Sequence, residues 1–226
     1  MMADKEGYDQ TVTIYSPEGR IFQAEYARIA SERGGAAIAV LVKDRVLIAA
    51  VKGRRSKLMR MERFEKIHRV QDDILATTSG LIADARVIVD YARNIAFWYK
   101  CTYGEEPDLS SMIPEIQKLL WMYTEYGMVR PFGVSAMFVG PKGGRMCITS
   151  LDVTGTSQDH RACCIGMGSE SIREALEERY RPDLELEEAR TMLLAILEEN
   201  VEDLSDHELE ILSISGSDIE RLPTDA

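Results

Sequence analysis

Apolar residues recur along this chain with two periods, and each change of period marks a change of predicted element. Residues 36–42 and 45–51 are nearly continuous apolar runs around the turn Lys43-Asp44-Arg45. Short runs of that kind, closed by a charged turn, predict a hairpin of strands buried on both faces. A weaker hairpin is predicted from residues 66–70 and 74–78 across Gln71-Asp72-Asp73. After Ser79-Gly80 the spacing turns helical, with Leu81, Ala85, Ile88, Ala92, Ile95, Ala96 and Tyr99 falling on one face over about five turns. A second helix follows, opened by Ser110-Ser111, with Pro114 in its first turn and Ile113, Ile116, Leu119, Leu120 and Tyr123 on its apolar side.

Strands return at 133–139 and 145–150 across Pro141-Lys142-Gly143-Gly144, with another at roughly 160–165. Ser169 is expected to cap a helix carrying Ile172, Ala175, Leu176 and Tyr180. The last long helix aligns Ala189, Met192, Leu193, Ile196, Leu197 and Val201, and a strand fits 209–214. Ahead of all these, residues 17–31 place Ile21, Phe22, Tyr26 and Ile29 on one side of a short helix entered through Pro17 and Gly19. Strands, two helices, strands, two helices and a final strand do not make the β-α-β alternation of a doubly wound sheet. Two sheets, each with a helix pair outside it, bury every apolar face. The expectation is an α+β, four-layer α/β/β/α sandwich in a single domain.

Composition narrows the class without naming a chemistry. A chain of 226 residues with 45% apolar content buries roughly 70% of its unfolded surface. It therefore needs no disulfide or metal staple. The N-terminus, Met-Met-Ala-Asp-Lys-Glu, has no apolar signal core, and no apolar run approaches the ~20 residues of a membrane span, so a cytoplasmic address is expected. Cys101, Cys147, Cys163 and Cys164 form no C-x-x-C pair, and His68, His160 and His207 are scattered. Reduced thiols and no metal are expected.

The net charge of −11 is unevenly held. Between Lys52 and Arg69 eight bases face only Glu62 and Glu65, while the last 29 residues carry ten acids against one base, Arg221. Acidity overall disfavours nucleic acid and anionic membranes. Most of the acidic tail is read as a solvated face. The basic stretch adjoins apolar patterning and is a candidate anion site. Gly166-Met167-Gly168 lacks the third glycine of a dinucleotide fingerprint, and Pro141-Lys142-Gly143-Gly144 lacks phosphate-loop spacing. Neither a G-x-S-x-G elbow nor H-E-x-x-H occurs.

One long motif is specific. Tyr8-Asp9-Gln10, then Ser16-Pro17-Glu18-Gly19-Arg20-Ile21-Phe22-Gln23-Ala24-Glu25-Tyr26-Ala27, closely resembles the signature of proteasome α subunits. In the same order come Arg33-Gly34-Gly35-Ala36, Phe64-Glu65-Lys66-Ile67, Thr78-Ser79-Gly80-Leu81-Ile82-Ala83-Asp84-Ala85-Arg86, the stretch from Tyr123 to Ser135, and Ile165-Gly166-Met167-Gly168. The likeness runs from Tyr8 to about residue 205 and is greatest to the archaeal kind.

The resemblance implies an Ntn-hydrolase-like sandwich over 34–226, preceded by a gate segment and capping helix over 1–33. It implies a heptameric ring of this chain stacked on proteolytic β subunits that cut with an N-terminal threonine. Here the equivalent strand starts near Gly34-Gly35-Ala36 with no Thr, Ser or Cys. Lys66 matches the lysine that assists catalysis in β subunits, but its acidic partner is replaced by Val51, and the upstream helix blocks processing. The chain is therefore expected to be non-catalytic, without cofactor. In the family Tyr8, Asp9, Pro17 and Tyr26 cluster to hold N-terminal segments open or shut over an axial pore through which unfolded polypeptide passes. Gln10 stands where arginine is usual, and a neutral amide in place of a salt bridge predicts a looser closed gate. Lys66, with Gly34, Glu25, Gly80 and Leu81, implies a pocket between neighbouring subunits. It takes the C-terminal carboxylate of an activator such as a regulatory ATPase ring with a hydrophobic-Tyr-X tail. The competing readings are a diverged Ntn-type hydrolase or transferase using Cys163 or Cys164, and a ring that works without β subunits.

Overall fold

The computed structural model describes residues 7–54, 58, 65–127 and 129–224. Phe64, Met128, Glu62 and four members of the basic stretch (Arg55, Lys57, Arg60 and Arg63) lie outside the described residues. The chain order is α1 (Phe22–Glu32), β1 (Ala37–Val42), β2 (Arg45–Arg54), β3 (Ile67–Gln71), β4 (Ile74–Gly80), α2 (Ile82–Tyr103) and α3 (Leu109–Glu125). Then follow β5 (Val134–Lys142), β6 (Arg145–Leu151), β7 (Ser157–His160), β8 (Ala162–Ile165), α4 (Ser169–Arg179), α5 (Leu186–Asn200), β9 (His207–Ser215) and β10 (Asp218–Arg221).

Alternation along the first hairpin explains the layering. Ile38, Val40 and Val42 face outward into a core completed by Ile172, Leu176, Leu193 and Leu197 of α4 and α5. Ala37 and Ala39 face inward, where they meet Leu75, Met137, Val139 and Ile148 of the other sheet. Strands buried on both sides show no alternation of polarity, which is why they read as continuous apolar runs. The first sheet has the order β10-β9-β2-β1-β8 and the second β3-β4-β5-β6-β7, all pairs antiparallel. Outside the second sheet, Ile88 and Ala92 of α2 and Met112, Ile116 and Leu120 of α3 close on Phe138 and Ala136. The layers are the expected α/β/β/α sandwich in one domain.

Details differ from expectation where a local signal competes with tertiary placement. The stretch at 160–165 is two strands: β7 pairs with β6, then the chain crosses at Arg161 to the other sheet, where β8 pairs with β1. Residue pattern sets which face is buried and says nothing of which sheet receives the strand. Asp108, whose carboxylate accepts the Ser111 N–H at 3.2 Å, caps α3 in place of the serines, so Pro114 lies inside the helix rather than in its first turn. Gly168, left-handed at φ 73°, occupies the cap of α4, and Ser169 is the first helical residue. In α1 the buried residues are Phe22, Ala27 and Ser31, while Ile29 is exposed. β10, an edge strand joined to β9 by a tight turn, is four residues long and has one apolar residue, Ile219, too few to show a period.

Phe138 is fully buried between the second sheet and α2 and α3. Phe138→Ala should cost about 3–5 kcal/mol, read as a lower denaturant midpoint at unchanged slope. A loss under about 1 kcal/mol would mean that this layer does not pack as described.

Candidate functional site

The N-terminal segment reaches α1 through a turn in which the Ser16 N–H donates to Arg20 O (2.9 Å) and the Gly19 N–H to Ser16 O (2.8 Å). Gly19 sits at φ 77°, which glycine alone adopts without strain. Pro17 and Gln10 are exposed, and Tyr8, Asp9 and Tyr26 are half-buried. Tyr26 stacks on Phe22 with ring centroids 6.4 Å apart. The Gln23 amide ties the segment to α1 by donating to the main-chain oxygen of Asp9, and Arg20 adds a contact over the Phe22 ring. The five residues singled out for the gate thus lie on the turn, the segment before it and the helix it enters. Glu25 is paired with Arg20, whose Nε donates to Oε1 at 2.6 Å.

The far end of α1 rests on the open end of the sandwich. Ser79 Oγ donates to Ser31 O (2.8 Å), and Ser135 Oγ donates to Ser31 Oγ (2.9 Å). Directly beneath, the backbones approach too closely for side chains. A Cβ on Gly34 would lie 2.1 Å from the Gly80 nitrogen, and one on Gly80, at φ 124°, would lie 2.0 Å from Gly133 O. The Leu81 N–H donates to Gly133 O at 3.0 Å, and its half-exposed side chain stands beside Gly133. Asp84 holds that crossing from below, accepting the Gly133 N–H (3.0 Å) and the Arg130 guanidinium. The guanidinium pair first, and the Gly133 bond with it, keep the Asp84 carboxyl below its usual range.

Lys66 enters this junction from the start of β3. Its Nζ lies 3.6 Å from where a Gly35 Cβ would sit. Burial pushes its pKa down to about 8. Among the described residues no carboxylate forms an ion pair with it. Lys66 shares a cleft of about 330 Å³ with Glu65, His68, Thr78, Gly80 and Ile82. An ammonium held in a partly dry cleft, with main-chain groups around it, is chemistry for capturing a carboxylate. Gly34, Gly80, Leu81 and Lys66 are thus brought together around the junction, and Glu25 is engaged elsewhere by Arg20.

The start of β1 and the neighbouring positions on β2 are closely packed. Gly34, Gly35 and Ala36 lead into β1 behind α1, and Val51 is buried. Lys52, next to it, has a buried side chain paired with Glu208 at 3.3 Å. Burial drives the Cys163 thiol up to about 11 and the Cys164 thiol up to about 12. Cys164 Sγ donates to Ser169 O at 3.1 Å. Neither thiol is activated as a nucleophile at neutral pH. Among the described residues there is no group of three or more His, Cys, Asp or Glu that could hold a metal ion, and no helix long and apolar enough to cross a membrane.

One member of the junction was hidden in the acidic tail. Glu210, expected on a solvated face, is buried, and its carboxylate accepts the Lys66 and Ile67 main-chain N–H groups. The signal was available in the register, because 210, 212 and 214 share a strand face and the last two are apolar.

Two antiparallel sheets faced by helix pairs, with an extra N-terminal helix over one end, define the layered sandwich of proteasome subunits. Residues 31–214 match the family model for proteasome subunits, and residues 8–30 match the model for the N-terminal signature of their A type. The α-type proteasome subunit of Methanocaldococcus jannaschii is 36% identical over 226 residues, covering 99% of this chain and 87% of that protein. That of Thermococcus sibiricus is 40% identical over 209 residues, 92% of this chain and 80% of the relative. Picrophilus torridus has one 37% identical over 215 residues, 95% and 92% of the two chains. The chain belongs to the proteasome α-subunit family.

The depressed Lys66 value can be measured directly. Competitive acylation across pH should show Lys66 half-reactive near pH 8, while exposed lysines titrate near their usual value of about 10.4. A midpoint for Lys66 with the exposed lysines would show that its ammonium is fully hydrated.

Proposed function

We propose that this chain is a non-catalytic α-ring subunit of a proteasome core particle, with three tasks. It assembles with itself into a heptameric ring that carries proteolytic β subunits. It gates the entry of unfolded polypeptide through the axial pore. It docks the C-terminal carboxylate of an activator, such as a regulatory ATPase ring. On this reading residues 1–33 are the gate segment and capping helix of the sandwich formed by 34–226. The work is cytoplasmic and involves neither nucleic acid nor a membrane.

The observation that carries the docking reading is the Lys66 ammonium, buried beside Gly80 in a cleft and unpaired with any described carboxylate. A buried cation without a counter-ion is costly unless a ligand completes it. The gating reading rests on the segment from Tyr8 to Arg20 being joined to α1 by one turn and by the Gln23–Asp9 hydrogen bond. Lack of catalysis is supported by three features: the absence of a nucleophile at Gly34-Gly35-Ala36, the apolar Val51, and thiols that burial keeps protonated.

Lys66→Ala should leave ring assembly with the β subunit intact by native mass measurement. It should weaken activator-stimulated peptide hydrolysis by the loss of about 2–5 kcal/mol of docking energy, roughly thirtyfold or more in affinity. Loss of the ring in that variant would make Lys66 structural and overturn the docking role. Peptide turnover by the purified chain without β subunits would overturn the non-catalytic one. For the gate, Gln10→Arg supplies the cation that can salt-bridge an aspartate of a neighbouring subunit. Unstimulated hydrolysis of a long peptide by the assembled particle should drop severalfold, and an unchanged rate would show that Gln10 does not loosen closure.

A further inference from the structure

Glu210 occupies a position where the pattern of β9 calls for an apolar residue. Leu212 and Ile214 on the same face contribute to the core between the sheets, while Leu209 and Ile211 face α4 and α5. Glu210 is only 3% exposed. A charge at an inward position of a packed strand violates the local rule, and such violations concentrate where function or geometry demands them. Its partners show what is demanded here. Oε2 accepts the main-chain N–H of Lys66 at 2.9 Å and of Ile67 at 3.2 Å, and Oε1 accepts from the Arg221 guanidinium on β10.

The bridge runs from one sheet to the other. β3 is the edge strand of its sheet, and its ladder with β4 begins at Ile67 opposite Thr77. Lys66 is therefore the last residue before regular pairing, where an edge strand would ordinarily fray. Instead both of its main-chain groups are held by side chains from elsewhere. Glu210 takes the N–H, and Thr77 Oγ1 donates to the C=O at 3.0 Å. The Glu210 charge is matched by Arg221, not by the Lys66 ammonium. An unmatched carboxylate there would compete with any incoming one.

We propose that Glu210 is a positioning residue for carboxylate docking: with Arg221 as its counter-ion, it fixes the Lys66 main chain so that the ammonium stands at the cleft and stays free for an external carboxylate. This rests on the docking reading of Lys66. The residue acts through Lys66 and touches no ligand, so its loss should weaken docking without altering the response at saturation.

The test uses the particle assembled with its β subunits. The probe is a synthetic peptide ending in Leu-Tyr-Ala with a free carboxylate, alongside its C-terminal amide. For Glu210→Ala the peptide concentration giving half-maximal stimulation should rise about tenfold, with maximal stimulation retained. Glu210→Gln, which keeps an acceptor oxygen for the two N–H groups, should rise less. A half-maximal concentration within twofold of the parent in Glu210→Ala, while Lys66→Ala is silent, overturns the proposal alone. A normal response to the carboxylate peptide in Lys66→Ala overturns the docking reading and the proposal with it. Failure of both Glu210 variants to form rings assigns the residue to folding and also overturns the proposal.

Discussion

The open end of the sandwich is governed by a steric constraint: the backbone of Gly34 meets that of Gly80, and Gly80 meets Gly133, so closely that neither Gly34 nor Gly80 has room for a Cβ atom. The end of α1, the turn into α2 and the Lys66 cleft are anchored to that crossing. It seats α1 through Ser31 and Ser79 and turns β4 into α2 through Gly80-Leu81. It also leaves a cleft beside Gly80 that Lys66 enters from β3. A side chain at the crossing would separate the sheets by the width of a methyl group or more, and packed interiors absorb such a change poorly. The crossing therefore acts as a hinge pin in the static sense, fixing where three elements and one buried cation stand relative to one another.

The layers were legible because each rests on a strong periodic signal. Both faces of β1 and β2 are apolar, α2 and α3 show clear helical spacing, and the order of elements forbids a doubly wound sheet. Less legible was anything set by partners distant in sequence. At Arg161 the chain passes from β7, polar throughout, to the apolar β8 on the other sheet, whose partner β1 lies more than a hundred residues away in sequence. Asp108 took the cap from Ser110-Ser111 because its carboxylate also holds the Gly143 N–H across from another element. Strand β10 is paired with β9 and sets its one apolar residue, Ile219, against the core between the sheets, while Arg45 reaches Asp218 at its start.

The site was legible in its parts and not in its joints. Lys66, Gly34, Gly80 and Leu81 lie close together in this one chain, whereas Glu25 is drawn to Arg20, a contact that closeness in sequence makes local. In the acidic tail, a segment's summed charge averages the buried Glu210 carboxylate with its solvated neighbours. Its even-numbered companions on β9, not its acidic surroundings, carried the information. Charge counts describe long-range fields, whereas burial at a given strand position is decided by parity.

On the proposed reading, a hydrolase-type sandwich serves without hydrolysis because of what surrounds Lys66. A lysine that assists a nucleophile needs an acid nearby to hold it charged and aimed. Here the neighbouring position is Val51, and the side-chain acid that touches the Lys66 main chain, Glu210, is already neutralised by Arg221. Desolvation then lowers the ammonium's pKa toward the physiological range. A cation in that state gains more from an arriving carboxylate than a hydrated surface lysine does, because much of its own desolvation precedes binding. On the docking reading, removing the acid that catalysis would require is the same change that leaves the lysine open to a partner's terminus.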